Sequence, residues 1–317
     1  MTPAAGHDVY GLHVTGITGT GLAPAGTPRG PGPHRVDIRH AEQDRQPPRF
    51  KASQAVLDLP EDRQVLLHRG RGTATFTGPP LSPDEMIHPY LGVAASVFSR
   101  WARREVYHAG AFISGGLAWA VVGGREAGKS SLLAALAARR LPVLADDLVI
   151  TDGQDAFCGP RTIDLRRPMP GSSEAVTPAR GASRWRVALP PLSGAVPLGG
   201  WIYLRWSAEV AMQAVPASVL LARLAARRIW PALPSDPATL LALAACPAWD
   251  LGRPADWARM DETMDLMLRT LSTARRDQGS ARTSSSPAPA HPVRKPATSR
   301  AASAGASPKA LTRTALS

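Results

Sequence analysis

A glycine-rich segment near the middle of the chain has the residue types and the spacing of a phosphate-binding loop. Four residues separate Gly123 from Gly128, which Lys129 and Ser130 follow, and the flanks predict a Val-rich strand before and an Ala/Leu-rich helix after. Glycines let successive backbone N–H groups turn toward phosphate oxygens, and the helix adds its N-terminal donors. We expect Lys129 to contact the β- and γ-phosphates and Ser130 to offer its hydroxyl to Mg²⁺. The predicted nucleotide-binding residues are Gly123, Gly124, Arg125, Glu126, Ala127, Gly128, Lys129, Ser130 and Ser131.

Two adjacent carboxylates follow the next apolar segment. Asp146 and Asp147 come directly after residues 141–145, only 17 and 18 residues beyond Lys129. Helix and strand therefore form one compact unit that returns the carboxylates to the loop. Because neighbouring strand residues point to opposite faces, both can enter one site only if the strand ends there. We expect one to face the γ-phosphate as base or metal partner and the other to support it; the alternative is a solvated strand end.

His108, the glycine segment and the aspartate pair together resemble the catalytic core of the HPr serine kinase/phosphorylase family. His108 lies 21 residues before Lys129, and in that family a histidine precedes the loop and an Asp-Asp pair follows it. The resemblance covers roughly residues 85–170. It implies an α/β fold with a P-loop core of the HPr-kinase/PEP-carboxykinase type, which binds ATP and Mg²⁺. It also implies that Asp147 accepts the proton of a substrate hydroxyl and that His108 lies beside it.

The predicted metal ligands are the Ser130 hydroxyl and the carboxylates of Asp146 and Asp164. In the family, a downstream Glu-x-Arg-Gly-like signature supplies a Glu that completes the metal site. The nearest equivalent here is residues 161–166, RTIDLR, in which Asp164 stands where that Glu would be. The alternative for Asp164 is an ordinary acid at a strand edge, and the alternative for His108 is a packed, hydrogen-bonded side chain.

The pattern looks closest to the HPr-kinase-like proteins of lasso peptide biosynthesis, through the segments WARREVYHAG, GREAGKSS, VLADDL, GPRTIDLR and ARRIW. This resemblance implies an ATP-dependent serine kinase whose acceptor is a ribosomally made precursor peptide. Three alternatives stay open. They are a regulator of the HPr(Ser) kinase/phosphorylase type, a nucleotide-binding module without catalysis, and a basic nucleic-acid binder.

Composition divides the chain into three predicted parts. Residues 1–80 contain short alternating segments separated by turns and predict a β-rich N-terminal module. Residues 81–272 hold the motifs and predict the kinase-like catalytic domain, beginning with a helix over residues 84–104 and ending in helices. Within it, residues 201–206 and 209–215 predict a strand pair, and the spacing of Trp257, Met260 and Met264 predicts a helix face packed in the core. Residues 273–317, rich in Ser, Ala and Pro, predict a disordered basic tail.

The 317-residue chain has a formal net charge of +12, and residues 275–317 account for +7 of it. The remainder is only modestly basic, so the charge does not favour nucleic acid as a partner. Two cysteines, Cys158 and Cys246, are too few for a disulfide framework, and no segment resembles a signal peptide or a membrane span. We therefore expect a cytoplasmic protein whose partners are ATP and a serine-containing peptide or small protein. The sequence does not define an oligomeric state.

Overall fold

The structure is a computed structural model that describes residues 6–17, 21–22, 24, 34–170, 176–180 and 183–283. Within these residues the architecture is mixed α/β, with three sheets. The strands are β1 (His7–Val9), β2 (Leu12–Thr15), β3 (His34–His40), β4 (Arg49–Phe50), β5 (Gln54–Leu59), β6 (Arg63–His68), β7 (Thr73–Thr77), β8 (Glu105–Ser114), β9 (Leu117–Val122), β10 (Val143–Ala145), β11 (Leu148–Thr151), β12 (Asp155–Phe157), β13 (Thr162–Leu165), β14 (Val176–Ala179), β15 (Arg184–Ala188), β16 (Ala195–Trp206), β17 (Ala211–Ala214) and β18 (Ala248–Arg253). The helices are α1 (Pro83–Glu85), a π-helical turn (Met86–Tyr90), α2 (Leu91–Trp101), α3 (Lys129–Ala138), α4 (Ala217–Arg227), α5 (Pro237–Ala245), a 3₁₀ turn (Trp257–Arg259) and α6 (Met260–Thr283).

Strands β1–β7 form one seven-stranded sheet in the order β1-β2-β3-β7-β6-β5-β4. All seven lie within residues 1–80, the predicted N-terminal module. The buried side chains of this sheet share a core with α2 and with Val106, Leu148 and Ile150 of strands β8 and β11. Every residue of α2 is buried, because the N-terminal sheet covers one side of the helix and the central sheet the other. The N-terminal strands thus pack directly against the part of the chain that holds the motifs.

The helix predicted over residues 84–104 is interrupted near its start. His88 has non-helical backbone angles (φ −149°, ψ 116°) and is followed by Pro89. A residue before proline is disfavoured in the helical region because its backbone clashes with the proline ring. The interruption separates α1 from α2 and leaves His88 in the central cleft described below.

The central sheet has eight strands, and both of its faces are buried. Strand β9 shows this directly, because Trp119 and Val121 belong to one core cluster while Ala118, Ala120 and Val122 belong to another. Helices α3 and α6 contribute to the first cluster, and α4 and α5 to the second. A strand covered on both faces is expected to be apolar throughout, as the segment AWAVV is.

Three parallel strands of this sheet end at the same edge. β9 pairs in parallel with β16, with Val122 opposite Tyr203, and β16 pairs in parallel with β18. The predicted pairing of residues 201–206 with 209–215 is wrong, because β18 lies between β16 and β17 and pairs with both. Parallel neighbours require a long crossover, here α4 and α5, and so are not visible as a local pattern.

The last helix, α6, runs to Thr283, ten residues beyond the predicted start of the tail at residue 273. Residues 284–317 of that predicted tail lie outside the described residues. Met260, Met264 and Leu271 of α6 are buried against α3 and the sheet, as their spacing predicts, but Trp257 lies in the preceding 3₁₀ turn and is exposed. Among the described helices, none is long and apolar enough to cross a bilayer.

Candidate active site

The glycine loop, residues 123–128, leads from the end of β9 into α3. Gly128 has φ +78°, a left-handed conformation that favours glycine, and α3 begins at Lys129. The Lys129 side chain is only 8 % exposed, and its Nζ donates to the carbonyl oxygens of Gly123 (3.0 Å) and Gly124 (3.1 Å). Burial lowers the pKa of this lysine, while the nearby Asp146 and Asp147 oppose that effect. The lysine therefore folds back over the loop that it follows.

Asp146 is bonded to the first turn of α3. Its Oδ1 accepts a hydrogen bond from Ser130 Oγ at 3.1 Å. The residue is 6 % exposed, and burial, reinforced by the negative charge of Asp147, raises its pKa to about 6. A buried carboxylate and a hydroxyl at the start of a helix are oxygen donors of the kind that Mg²⁺ prefers.

Asp147 enters the same cleft because of its backbone conformation. β10 ends at Ala145, directly before the two aspartates, and β11 begins directly after them at Leu148, so the strand ends where the entry of both carboxylates into one site requires it to end. Both strands pair with β8. Asp147 has φ +72°, which breaks the alternation of side chains between β10 and β11. Both carboxylates consequently line one cleft.

Two histidines flank the Asp147 carboxylate. His108 Nδ1 lies 3.3 Å from Asp147 Oδ1, and His88 Nδ1 lies 3.9 Å from Asp147 Oδ2. Burial lowers the pKa of His108 more than the nearby Asp147 raises it, which favours the neutral imidazole. His108 was predicted from the sequence, whereas His88 was not; its only signal was a His-Pro pair ahead of an apolar helix.

The cleft has a volume of ≈ 630 Å³ and is rich in arginine. Arg166 is ion-paired with Glu126 of the glycine loop. Burial and the positive charge of neighbouring arginines lower the pKa of Arg184, which shows that the positive charges crowd one another. Such a rim suits an anion of several charges. The arginines of the lining are Arg125, Arg166, Arg167, Arg180 and Arg184.

Asp164 lines the cleft, but its carboxylate has a different partner from the one predicted. Arg186 donates to both of its oxygens, with Nε to Oδ1 at 2.7 Å and Nη2 to Oδ2 at 2.9 Å. Its side chain is buried. A carboxylate held on both oxygens by a guanidinium is poorly placed to ligate a cation as well. Among the described residues, no three His, Cys, Asp or Glu side chains group as a metal site.

Arg253 supports the glycine loop through hydrogen bonds and is not among the residues that the sequence predicts for the site. It ends β18, and its Nη2 donates to the carbonyl oxygens of Ala127 (3.1 Å) and Gly128 (3.2 Å). Its guanidinium lies over the ring of Trp206, 4.4 Å from the centroid. Burial lowers the pKa of Arg253 to about 10. The arginine therefore holds the loop at the two residues directly before α3.

A substitution at Gly128 tests this support. Gly128→Ala adds a Cβ that overlaps Arg253 Nη2 at a position with φ +78°. Gly116→Ala is the matched control, because Gly116 has the same φ and nothing within 4 Å of an added Cβ. We expect the control to lose about 1–2 kcal/mol of unfolding free energy from backbone strain alone, and Gly128→Ala to lose more. Urea titration measures the unfolding free energy of both variants. Equal losses in the two variants would contradict the role of Arg253 as a support of the glycine loop.

The structure thus brings most of the predicted site residues into one cleft. His108, Asp146 and Asp147 line it, with Asp164 at its wall. Of the predicted nucleotide-binding residues, six line the cleft: Arg125, Glu126, Gly128, Lys129, Ser130 and Ser131. Gly123, Gly124 and Ala127 contribute backbone carbonyls that hold Lys129 and Arg253.

Comparison with known proteins gives similarity to solved structures. No protein-family model matches the sequence, and no curated protein matches it. Among solved structures, the chain is similar to the Hpr(Ser) kinase/phosphatase from Coxiella burnetii, with 12 % sequence identity and a TM-score of 0.29. The similarity covers 55 % of this chain and 98 % of that chain.

Proposed function

We propose that this protein is an ATP-dependent kinase that transfers the γ-phosphoryl group of Mg·ATP to a serine hydroxyl. One observation carries the proposal: two adjacent carboxylates line one cleft and have different partners. Asp146 accepts from Ser130 at the start of α3, and Asp147 contacts His108. Phosphoryl transfer requires a ligand for the metal and an acceptor for the hydroxyl proton, and this arrangement offers one of each.

The glycine loop and its neighbours would bind the triphosphate. The first N–H groups of α3 have no side-chain cap at Gly128 among the described residues, so they are available to phosphate oxygens. Lys129, now bonded to two loop carbonyls, would exchange them for β- and γ-phosphate oxygens. Ser130 and Asp146 would hold Mg²⁺ together with the phosphates, since Mg²⁺ in such sites has few protein ligands. The cleft arginines would neutralise the remaining charge.

Asp147 would accept the proton. The serine oxygen attacks the γ-phosphorus as the bond from that phosphorus to the β–γ bridging oxygen breaks, and ADP leaves with the electron pair. The hydroxyl proton passes to the Asp147 carboxylate. Neutral His108 orients this carboxylate without cancelling its charge, because its pKa is lowered by burial. Asp164, paired with Arg186, is not part of this mechanism.

For the acceptor we propose a serine on a ribosomally made precursor peptide, of the lasso peptide kind. Two features support it: the resemblance of the sequence segments named above to the kinase-like proteins of that biosynthesis, and an arginine-rich cleft of ≈ 630 Å³ that Asp147 lines. The regulator alternative differs in the acceptor, which would then be HPr, and in having the phosphorylase reaction as well.

Mass spectrometry of the acceptor distinguishes these proposals. The protein is incubated with Mg·ATP and either a precursor peptide encoded beside its gene or HPr. We expect one phosphoryl group on a serine of the peptide and none on HPr. Transfer to HPr and not to the peptide would overturn the peptide acceptor and favour the regulator alternative. Binding of ATP without transfer to either acceptor would overturn the proposed kinase activity and favour the alternative of a nucleotide-binding module without catalysis.

A further inference from the structure

Two tryptophans are exposed near the glycine loop. Trp206 is 48 % exposed and Trp257 is 40 % exposed, and they are two of the four exposed large hydrophobic side chains among the described residues. The other two are Val219 and Leu241, on α4 and α5. An exposed indole beside a polar cleft offers a flat apolar face to a ligand in that cleft.

Trp257 lies in the cleft itself. It is among the lining residues, together with Gly128, Ser130 and Ser131. Its spacing with Met260 and Met264 predicted core packing, yet those methionines are buried and the tryptophan is not. The chain is held locally, because the Asp256 side chain accepts from the backbone N–H of Ala258 at 2.9 Å. Trp257 therefore occupies a fixed turn at the cleft wall and not the core.

Trp206 differs from Trp257 in its contacts, because one face of its ring is covered by an arginine. Its ring lies against the guanidinium of Arg253, and the ring edge is 3.3 Å from a Cβ built on Gly128. It contributes to the support of the glycine loop and is not among the residues that line the cleft. The two tryptophans thus have separate roles.

The order of the strands places Trp257 on the side of the glycine loop away from Asp147. Across the sheet the order is β10, β8, β9, β16 and β18. Asp147 follows β10, the glycine loop follows β9, and Trp257 comes four residues after the end of β18. Each step is about 4.8 Å, so Asp147 and the end of β18 lie about 10 Å to either side of β9. A ligand with its triphosphate on the loop and its γ-phosphate toward Asp147 directs its other end toward β18.

We propose that Trp257 stacks on the nucleobase of the bound nucleotide. The inference rests on the proposed function, because it takes the triphosphate to lie on the glycine loop. The indole supplies a flat apolar face at the end of the cleft opposite the acceptor. Every base has a face that can stack on it, so the contact strengthens binding without strong selection among bases.

Calorimetric titration of the full chain, with Mg²⁺ present, tests the proposal with two ligands that share the phosphates. ATP carries a base, and inorganic tripolyphosphate does not. We expect the wild type to bind ATP more tightly than tripolyphosphate. Trp257→Ala should weaken ATP binding about 5- to 150-fold and leave tripolyphosphate binding unchanged. Trp257→Phe should keep most of the ATP affinity because the phenyl ring also stacks. Leu241→Ala, which shortens an exposed side chain on α5, is the matched control and should change neither affinity.

The outcomes separate this proposal from the proposed function. Unchanged ATP affinity in Trp257→Ala would overturn the stacking role while the loop still binds phosphates. Equal weakening of both ligands would also overturn it and make Trp257 a support of the cleft wall. A wild type that binds neither ligand would overturn the nucleotide site and the stacking role together.

Discussion

Asp147→Asn is expected to lower the rate of phosphoryl transfer to the acceptor serine by about 10²- to 10⁴-fold, the usual contribution of a general base. Asparagine has nearly the same shape but cannot accept the hydroxyl proton. Binding of ATP should persist, because Asp147 lies beside His108 and His88 and is not bonded to the glycine loop. The substitution thus removes the chemical step and spares the phosphate site.

The Lys129→Ala variant, compared with Asp147→Asn, distinguishes ATP binding from the chemical step of phosphoryl transfer. It also removes transfer, but it deletes the buried ammonium that would bind the β- and γ-phosphates, so ATP binding weakens strongly as well. Single-turnover transfer from γ-labelled ATP measures the rate, and calorimetry measures the affinity. Phosphoryl transfer at the wild-type rate by the Asp147→Asn variant would contradict the assignment of Asp147 as the general base.

The local part of the site could be predicted from the sequence. The glycine loop depends on residues within eight positions of one another, and its left-handed glycine and following helix are consequences of the same short segment. The bond from Ser130 to Asp146 follows from one helix and one short strand, a unit that folds back on itself. Contacts of this kind can be predicted from the spacing of the residues, because a short segment has few conformations that bring them together.

The parts of the site that the sequence did not predict depend on residues that are far apart in the chain. Arg253 reaches the loop from 125 residues away through a parallel strand that the sequence did not predict. Asp164 fitted a motif by position, yet its carboxylate is taken by Arg186 from the antiparallel strand β15. Asp147 shares a cleft with Asp146 through a left-handed backbone, and its carbonyl oxygen accepts a hydrogen bond from the backbone N–H of Ala109 in β8 at 3.2 Å. Periodicity describes which face a residue occupies and not which strand lies beside it.

Asp146→Asn is expected to make the protein without ligand more stable while it removes the binding of Mg·ATP. Burial raises the folded-state pKa of Asp146 from the ordinary aspartate value of 3.8 to about 6. The folded protein therefore binds this proton more tightly than the unfolded chain does. This favourable contribution is complete at low pH and is lost as the pH rises through about 6, and the loss amounts to about 3 kcal/mol by pH 8.

Asparagine avoids this loss because it cannot ionise, and its amide oxygen can still accept from Ser130 Oγ. In urea titrations the variant should exceed the wild type by up to about 3 kcal/mol at pH 8 and by about half as much at pH 5. Without the anionic oxygen, however, Mg²⁺ loses its only protein carboxylate in the proposed mechanism, and the affinity for Mg·ATP should fall at least about tenfold. Ser130→Ala is the control for the hydrogen bond: it should weaken Mg·ATP binding without stabilising the protein.

The two measurements together decide what the buried carboxylate is for. A stabilised variant that no longer binds Mg·ATP means that the protein tolerates a costly charge because the metal requires it. A variant that is destabilised at every pH would instead make Asp146 a structural partner of Ser130, since burial would then not oppose its charge. A wild type whose Mg·ATP affinity falls as the pH drops below about 6, with no such change in Asp146→Asn, would tie the raised pKa to the metal directly, because the proton and the cation compete for the same oxygen.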